Sequence, residues 1–154
     1  MFRGANSINL DAKGRIAIPA RYRDRLADIC NGRMVVTKNP YELDTPNLLL
    51  FPLHNWEDFE EQVRALPSSK KAYRLFKRVT IGSAKEVDMD SNGRLLLPAE
   101  LREFANFDKA LMLVGQGETF QIWDEAQWKA QEAEDLSTLA DESFDADQLP
   151  DLAF

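Results

Sequence analysis

Cysteine and histidine are nearly absent from this chain, which has Cys30, His54 and no second residue of either type. One of each cannot form an internal disulfide or a Cys–His metal cluster, so we expect no disulfide framework and no bound metal. A chain of this kind is typical of the reducing cytoplasm. His54 also lies outside any recognisable catalytic motif. We therefore expect that the protein is not an enzyme and needs no cofactor.

Long apolar runs are missing as well. No run approaches the roughly 20 residues that a membrane-spanning helix needs, and the N-terminal residues do not form the apolar core of a signal peptide. Of the 154 residues, 44% are hydrophobic and 29% are charged. This balance is typical of a soluble globular protein with one domain or two small ones, and we expect it in the cytoplasm.

Basic residues are outnumbered, and the net charge of the chain is −7. The charge is unevenly distributed along the sequence. Residues 1–38 carry eight Lys or Arg and three Asp, a net charge of +5, whereas residues 117–154 carry one Lys and eleven acids, a net charge of −10. Between these segments, residues 64–85 contain seven basic residues and no acid. Binding depends on the local field more than on total charge, so a basic face that attracts nucleic acid is compatible with this composition.

A segment of thirteen residues occurs twice, 79 positions apart. The copies are Asp11-Ala-Lys-Gly-Arg-Ile-Ala-Ile-Pro-Ala-Arg-Tyr-Arg23 and Asp90-Ser-Asn-Gly-Arg-Leu-Leu-Leu-Pro-Ala-Glu-Leu-Arg102, with six identical positions. A repeat of this length, with special residues at fixed offsets, indicates a duplicated structural unit. The constant part is a charged turn, and binding residues are often carried by turns on a rigid scaffold.

Each copy is typical of a β-turn between two strands, followed by a short helix. Asp at the first position and Gly at the fourth favour a type I turn, in which Gly14 and Gly93 supply a positive φ. Apolar residues alternate with others in 8–10 and 16–18, which predicts a half-buried hairpin around the first turn. Pro19 and Pro98 then end the strand and suit the start of a helix. Each half is predicted as strand, turn, strand, short helix, two strands and the start of a longer helix.

Several motifs in this order resemble the MraZ family of bacterial regulators. They are Met1-Phe-Arg-Gly4, Leu10-Asp-Ala-Lys-Gly-Arg15 with Ile18-Pro19, Ala84-Lys-Glu86, Asp90-Ser-Asn-Gly-Arg94 with Leu97-Pro98, Leu113-Val-Gly115 and Phe120-Gln-Ile-Trp-Asp124. The resemblance covers the chain from residue 1 to about residue 128. Residues 39–46 look longer than the usual link in this family, and Gln121 stands where members often have Glu; neither departure touches the repeated turn.

The resemblance implies the AbrB-like (SpoVT-AbrB domain) fold, which is mainly β with short helices (α+β). It implies two swapped-hairpin β-barrel units in tandem, at residues 5–52 and 81–124, joined by a helical connector at 53–80. An acidic C-terminal helix or tail would follow at 125–154.

For function, the resemblance implies a sequence-specific DNA-binding transcription regulator. Members act at the promoter of the division and cell-wall gene cluster that includes their own gene. They form homo-oligomeric rings and bind double-stranded DNA with closely spaced direct repeats. The expected location is the cytoplasm, in association with the nucleoid.

Five residues are candidates for contact with DNA. The family's Asp-x-x-x-Arg motif places Arg15 and Arg94 in the two turns, where an Arg side chain can pair with guanine or clamp phosphate. Lys13 adds a charge suited to phosphate, and Arg3 lies in the same basic segment. The second turn has Asn92 in place of Lys13. We therefore expect the first turn to be the main reader and the second to be supporting or structural.

Four further residues are expected to shape the turns. Phosphate repels a carboxylate, so Asp11 is better suited to accept backbone N–H bonds within its turn or to orient Arg15. Asp90 has the equivalent place in the second turn. Gly14 and Gly93 would fix the shape of each loop.

Other interpretations stay open from the residues alone. An isolated Asp-x-x-Gly-Arg segment is also typical of a hairpin whose Arg forms a surface salt bridge. The basic run at 70–78 fits either DNA phosphate or the acidic face of a neighbouring subunit. The segment 129–154 is either a solvated, partly helical terminus or a DNA mimic or docking segment. The alternative function is a protein-interaction module of antitoxin type, which uses the acidic tail and reads no DNA sequence.

Overall fold

The computed structural model describes residues 1–153, so Phe154, the last residue of the predicted tail, lies outside the described residues. The first half contains β1 (Ala5–Asn9), β2 (Arg15–Ala17), α1 (Ala20–Cys30), β3 (Arg33–Lys38), β4 (Leu48–Pro52) and α2 (Leu53–Arg64). Then α3 (Lys71–Thr80) leads to the second half, which contains β5 (Lys85–Asp88), β6 (Arg94–Leu96), α4 (Ala99–Phe104), β7 (Ala110–Gly115), β8 (Phe120–Asp124) and α5 (Glu125–Ala140). A 3-10 turn follows at Ala146–Gln148.

Each half repeats the order strand, turn, strand, helix, strand, strand, helix, which confirms the order predicted from the repeat. Proline stands immediately before three helices: Pro19 and Pro98 precede α1 and α4 at equivalent places, and Pro52 precedes α2. Its ring holds φ near the helical value and its lack of an N–H ends the preceding strand at no cost to the helix. The starts of α1, α2 and α4 therefore follow directly from the sequence.

Strands of the two halves are interleaved within one antiparallel sheet of six strands, in the order β1-β7-β8-β4-β3-β5. β1 of the first half pairs with β7 of the second, with Ala5 opposite Val114. In return, β5 of the second half pairs with β3 of the first, with Arg33 opposite Asp88. The remaining strands, β2 and β6, form a separate ribbon of two antiparallel strands. Each half thus gives its first strand to the other half.

The prediction of a hairpin around the first turn is confirmed only for the turn; it is wrong for the strands, because β1 and β2 do not pair with each other. Leu10 and Ile16 form an isolated bridge, after which β1 continues along β7 and β2 along β6. The predicted alternation is nevertheless confirmed, because Ile8, Ile16 and Ile18 are all buried. A period of two residues determines which side chains face the core, but it does not determine which strand lies alongside.

The main core contains residues of both halves. Ile16 of β2 and Leu95 of β6 are fully buried in the same cluster as Leu50 of β4 and Ile122 of β8. Burying one such side chain contributes about 1.5–3 kcal/mol, so the inner face of the ribbon is held firmly on the sheet. The mixed α+β class is confirmed. The pairings within residues 1–153 do not close the sheet into a barrel, so the tandem barrel units at 5–52 and 81–124 stay a prediction.

The opposite face of the sheet, which we call the outer face, is covered by helices. α2 packs there through Trp56 on Phe51, with ring centroids 5.3 Å apart. α5 packs at the equivalent place through Trp128 on Trp123, with ring centroids 5.7 Å apart. Among residues 1–153, none of the helices combines the length and the apolar character that a membrane crossing requires.

Candidate nucleic-acid interface

The first repeated turn is built around the Asp11 carboxylate. Its Oδ1 accepts the backbone N–H groups of Lys13 and Arg15, both at 2.9 Å. Its Oδ2 accepts the Nε–H of the Arg15 side chain, also at 2.9 Å. Asp11 therefore shapes the loop and orients the arginine at the same time. This arrangement uses the short side chain of Asp, which can reach its own backbone two and four residues ahead.

The second turn repeats these contacts atom for atom. Asp90 Oδ1 accepts the backbone N–H groups of Asn92 and Arg94 at 2.9 Å, and Asp90 Oδ2 accepts Arg94 Nε–H at 3.1 Å. The two turns therefore have the same geometry although Lys13 is replaced by Asn92. The surface salt bridge expected for a plain hairpin is present in both, so the salt bridge by itself does not separate a structural role from a binding role.

Both aspartates remain charged over a wide pH range. The backbone N–H of Arg15 lowers the pKa of the Asp11 carboxyl, and the Arg15 guanidinium adds to this shift against an opposing effect of burial. The backbone N–H of Arg94 is likewise the largest cause that lowers the pKa of Asp90. Hydrogen bonds to the ionised carboxylate favour the ionised form. Each Asp–Arg pair is therefore a permanent ion pair at neutral pH.

The glycine of each turn lies under an arginine of the other half. Gly14 has φ +84°, and a Cβ built on it would be 2.8 Å from Cζ of Arg102. Gly93 has φ +74°, and its Cβ would be 2.5 Å from Nε of Arg23. Glycine is thus required twice over at these positions, for its backbone conformation and for the close approach of the arginine.

These two arginines also bind the strands that leave the turns. Arg23 Nε–H donates to the carbonyl of Ile18 at 2.6 Å, and Arg102 Nε–H donates to the carbonyl of Leu97 at 3.0 Å. Both arginines are identical positions of the repeat, but the sequence alone predicted no role for them. The signal that could have found them is that identity, since each lies twelve residues after its aspartate.

Reciprocal backbone hydrogen bonds hold the turns side by side. The N–H of Ile18 donates to the carbonyl of Gly93, and the N–H of Leu97 donates to the carbonyl of Gly14, both at 2.9 Å. Between them, β2 and β6 pair so that Arg15 lies opposite Leu96 and Ala17 lies opposite Arg94. The structure therefore brings the two arginines of the repeat together on one ribbon.

The ribbon has one buried and one exposed face. Ile16 and Leu95 face the core, so Arg15, Ala17, Arg94 and Leu96 lie on the other face. The side chains of Arg15 and Arg94 are 26% and 32% exposed, and Leu96 is 57% exposed. An antiparallel ribbon of two strands has dimensions that the major groove of B-DNA admits.

The guanidinium groups keep donors for a ligand. Nε of each arginine is occupied by its aspartate, and within the part of the chain that the structure describes the terminal Nη atoms of Arg15 and Arg94 make no hydrogen bond. Arg presents its donors in a planar fork. Each side chain is therefore oriented through one donor and leaves its outer donors free for a base edge or a phosphate.

The other two candidate residues of the first half lie in different places. Lys13 is exposed in the first turn, next to the ribbon. Arg3 lies before β1, where its neighbour Phe2 pairs with Gly117, whereas Asp11 follows β1. The five residues of β1 separate them by about 17 Å. The structure therefore does not bring Arg3 to the turns.

The similarity of this chain to known proteins follows the same division into two halves as the repeat. The family described as "MraZ protein, putative antitoxin-like" matches residues 1–79 and again residues 80–148. A protein of Pseudomonas putida (strain F1) named transcriptional regulator MraZ is 47% identical over 152 residues, with 99% of each chain covered. Proteins of the same name from Pseudomonas entomophila (strain L48) and Pseudomonas aeruginosa (strain LESB58) are 47% and 46% identical over the same coverage. On this similarity over its full length, the chain belongs to the MraZ family.

Proposed function

We propose that this protein is a sequence-specific DNA-binding transcription regulator that reads double-stranded DNA with the exposed face of the β2–β6 ribbon. The observation that carries the proposal is the placement of Arg15 and Arg94 on that face, each with Nε held by an aspartate and its Nη atoms free. The names of the relatives, which call them transcriptional regulators, support the same class of function.

The Asp–Arg pairs would act by orienting the arginines in advance. An Arg that is already held in place loses less conformational freedom on binding, so more of its interaction energy appears as affinity. A bidentate contact of Arg Nη atoms with O6 and N7 of guanine discriminates against other bases by about 1–3 kcal/mol. Lys13, exposed beside the ribbon, is suited to a phosphate contact, which raises affinity without reading sequence.

One ribbon offers a small contact area, so we propose that the protein acts as a homo-oligomer, in the form of a ring. Successive subunits would present the same ribbon in the same sense, which fits closely spaced direct repeats in the DNA. Linking several binding sites in this way raises overall affinity by about 10²–10⁴ without any new contact. Following the family resemblance, we propose as target the promoter of the division and cell-wall gene cluster that includes the protein's own gene.

The two turns are proposed to contribute unequally. The first has Lys13 beside Arg15 and belongs to a segment with a net charge of +5, whereas the second has the neutral Asn92 beside Arg94. We propose that the first turn is the main reader, with Arg15 as its base contact and Lys13 as its phosphate contact, and that Arg94 and Asn92 of the second turn support it. Arg3 is proposed only as a distant phosphate contact, because β1 separates it from the ribbon.

The test is a fluorescence anisotropy titration of the protein against its own upstream DNA and a scrambled duplex. Arg15→Ala is expected to remove the preference for the native DNA, while sedimentation shows an unchanged assembly. The matched control is Lys129→Ala, which removes one positive charge from the exposed side of α5 on the outer face. If Arg15→Ala binds native DNA as wild type does, the proposal fails.

The alternative is a protein-interaction module of antitoxin type that uses the acidic tail. The observation in its favour is that residues 132–140 of α5 are all exposed, so this part of the tail is accessible to a partner. In that case Arg15 is incidental, and the titration above would show no preference for the native DNA even with the wild-type protein.

A further inference from the structure

Among residues 1–153, no other element of the fold covers the C-terminal part of α5, which extends into solvent. Up to Gln131 the helix has half-buried side chains, whereas every residue of 132–140 is exposed. We call residues 132–140 the arm. An isolated helix this short is marginally stable in water, because nucleation of a helix is costly. The arm would therefore gain stability from a surface on which it could pack.

One side of the arm combines acids and leucines. Glu132, Asp135, Leu136 and Leu139 follow the spacing i, i+3, i+4, i+7, so they lie on one face of the helix. Both leucines are among the exposed large hydrophobic residues of the protein. Glu134 lies on the opposite side of the same helix, and it therefore serves below as a control position.

The solvent face of α3 has a matching pattern of opposite charge. Lys71, Arg74, Leu75 and Arg78 follow the same spacing, and we call them the α3 stripe. All four are exposed, Leu75 to 45%. Within residues 1–153 none of the three basic side chains forms a salt bridge, although Arg74 Nη1–H donates to the carbonyl of Ser68 at 2.8 Å.

The opposite side of α3 packs against the rest of the protein, so the stripe faces solvent. On its other side, the carbonyl of Thr80 accepts the hydroxyl of Thr37 in β3 at 2.6 Å. Phe76 contacts the rings of Tyr41 and Phe59, with centroids 5.7 and 6.5 Å away. Because α3 is held by these contacts, the stripe is a fixed surface in the folded chain.

We propose that the arm of one copy of this protein packs along the α3 stripe of a second copy. Leu136 and Leu139 would cover Leu75, while Glu132 and Asp135 would face the basic residues of the stripe. The charges of the surrounding segments favour the same contact. Residues 132–153 contain eight acids and no basic residue, whereas residues 64–85 contain seven basic residues and no acid.

The partner is a second copy because the arm and the stripe of one chain are exposed at the same time. The base of α5 is anchored by the contact of Trp128 with Trp123 and by its cap, in which Asp124 Oδ2 accepts the N–H of Gln127 at 3.4 Å. The arm therefore cannot swing freely to its own stripe. DNA would match the charge of the stripe, but it would leave Leu75 and the leucines of the arm exposed.

The two surfaces of this contact are different, so the contact is heterologous. Heterologous contacts generate rings when the rotation between subunits closes, and open filaments when it does not. The stripe also lies away from the DNA-reading ribbon. Thr37, which bonds α3, is on the outer face with Val35, whereas Met34 and Val36 face the core that the ribbon covers. Assembly through the arm would leave the ribbon accessible.

The test uses charge reversal in the full-length chain without DNA. In a first variant the stripe is reversed by Lys71→Glu and Arg78→Glu, which spares Arg74 and its contact with Ser68. In a second variant the arm is reversed by Glu132→Lys and Asp135→Lys. Because like charges would then face one another, each variant alone is expected to need about tenfold or more protein to assemble, measured by sedimentation velocity.

A mixture of the two variants tests whether the arm contacts the α3 stripe of its own chain or that of another chain. In an equimolar mixture, each reversed stripe can meet the reversed arm of the other variant, and each native stripe can meet a native arm. Assembly is therefore expected to return in the mixture. The control Glu134→Lys with Glu142→Lys makes the same charge change, with one position on the opposite side of the arm and one beyond the end of α5, and it should assemble as wild type does.

Three results would overturn the proposal. The first is assembly of the stripe-reversed variant at the same protein concentration as wild type. The second is a mixture that stays unassembled, which would mean that the arm does not bind a stripe of another chain. The third is a wild-type protein that remains monomeric at all concentrations tested. Since no DNA is present, these results are independent of whether the ribbon reads DNA.

Discussion

Arg102 lies directly over Gly14, although the two residues belong to different halves of the chain. A Cβ on Gly14 would be 2.8 Å from Cζ of Arg102, and Gly93 has the same relationship to Arg23. Each turn is therefore supported by the helix that follows the other turn. The reading surface proposed for this protein depends on contact between two segments that are far apart in sequence.

The first prediction concerns Gly14. Gly14→Ala requires a side chain at φ +84° and in contact with the Arg102 guanidinium. Strained backbone of this kind costs about 1–3 kcal/mol, so we expect the free energy of unfolding to fall by that amount. Urea denaturation measures the change. Ala12→Ser alters an exposed position of the same turn and should stay within about 0.5 kcal/mol of wild type. An equally stable Gly14→Ala protein would contradict the contact.

The second prediction concerns Arg102. Arg102→Ala removes the donor to the Leu97 carbonyl and the contact with Gly14. A hydrogen bond from a charged donor contributes about 1.5–3 kcal/mol to stability. Because the pair is half-buried, we expect the free energy of unfolding to fall by an amount at the lower end of this range. DNA affinity should fall too, since the first turn loses its support. Arg102→Lys, which keeps the charge without the planar group, should behave like Arg102→Ala in both measurements. If Arg102→Lys kept the stability and the DNA affinity of wild type, a positive charge at this position would be enough to support the turn.

How much of this could be predicted from the sequence depends on the range of the interaction. The turns and helix starts are local, so Asp11, Gly14 and Pro19 were enough to predict them and their second copies. The exchange of β1 and β5 between the halves depends on which strands lie side by side. The alternation around Ile16 is satisfied equally by a hairpin and by pairing with β6, so it could not decide between them.

The candidate site shows the same limit. Arg15 and Arg94 were found because they belong to a local motif. Their presence on one ribbon follows only from the pairing of β2 with β6. Ala17 and Leu96, which share the exposed face, have no distinctive signal in the sequence. The roles of Arg23 and Arg102 were missed because each acts on a turn 70 or more residues away in the chain.

The third prediction concerns the direction in which Asp11→Ala changes DNA affinity. Asp11→Ala removes a negative charge beside the proposed DNA surface, and Coulomb interaction alone would make DNA binding tighter. The structure predicts weaker binding, because Arg15 loses its Nε partner and the turn loses two backbone hydrogen bonds. Anisotropy titration at fixed salt measures the direction. Asp24→Ala removes an equivalent charge from the exposed surface of α1 and should bind DNA no less tightly than wild type. Tighter DNA binding by Asp11→Ala would contradict the role of Asp11 in orienting Arg15.

The fourth prediction is a pH dependence of stability. The folded-state pKa values of Asp11 and Asp90 are lowered from the usual 3.8, with the backbone N–H of Arg15 or Arg94 as the largest cause. A lowered pKa contributes stability that is complete above the unfolded-state pKa and is lost as pH falls through the folded-state pKa. Wild type should therefore be more stable than the double variant Asp11→Asn, Asp90→Asn at pH 6. The difference should shrink as the pH is lowered past 3.8, as followed by urea denaturation across this range. A difference that stays constant down to pH 2 would contradict the ionic contribution.

The fifth prediction separates the reading residue from the phosphate contact. Lys13 is an exposed point charge, so Lys13→Ala should weaken binding to native and scrambled DNA by the same factor. It should also reduce the slope of log affinity against log salt by about 1 for each ribbon engaged. Arg15→Ala should instead lower the ratio between native and scrambled DNA, at a cost of about 1–3 kcal/mol for each base contact. Arg94→Ala is expected to have a smaller effect on the same ratio, since the second turn has Asn92 in place of lysine. If Arg94→Ala equals Arg15→Ala in this ratio, the two turns read DNA equally and the proposed dominance of the first is wrong.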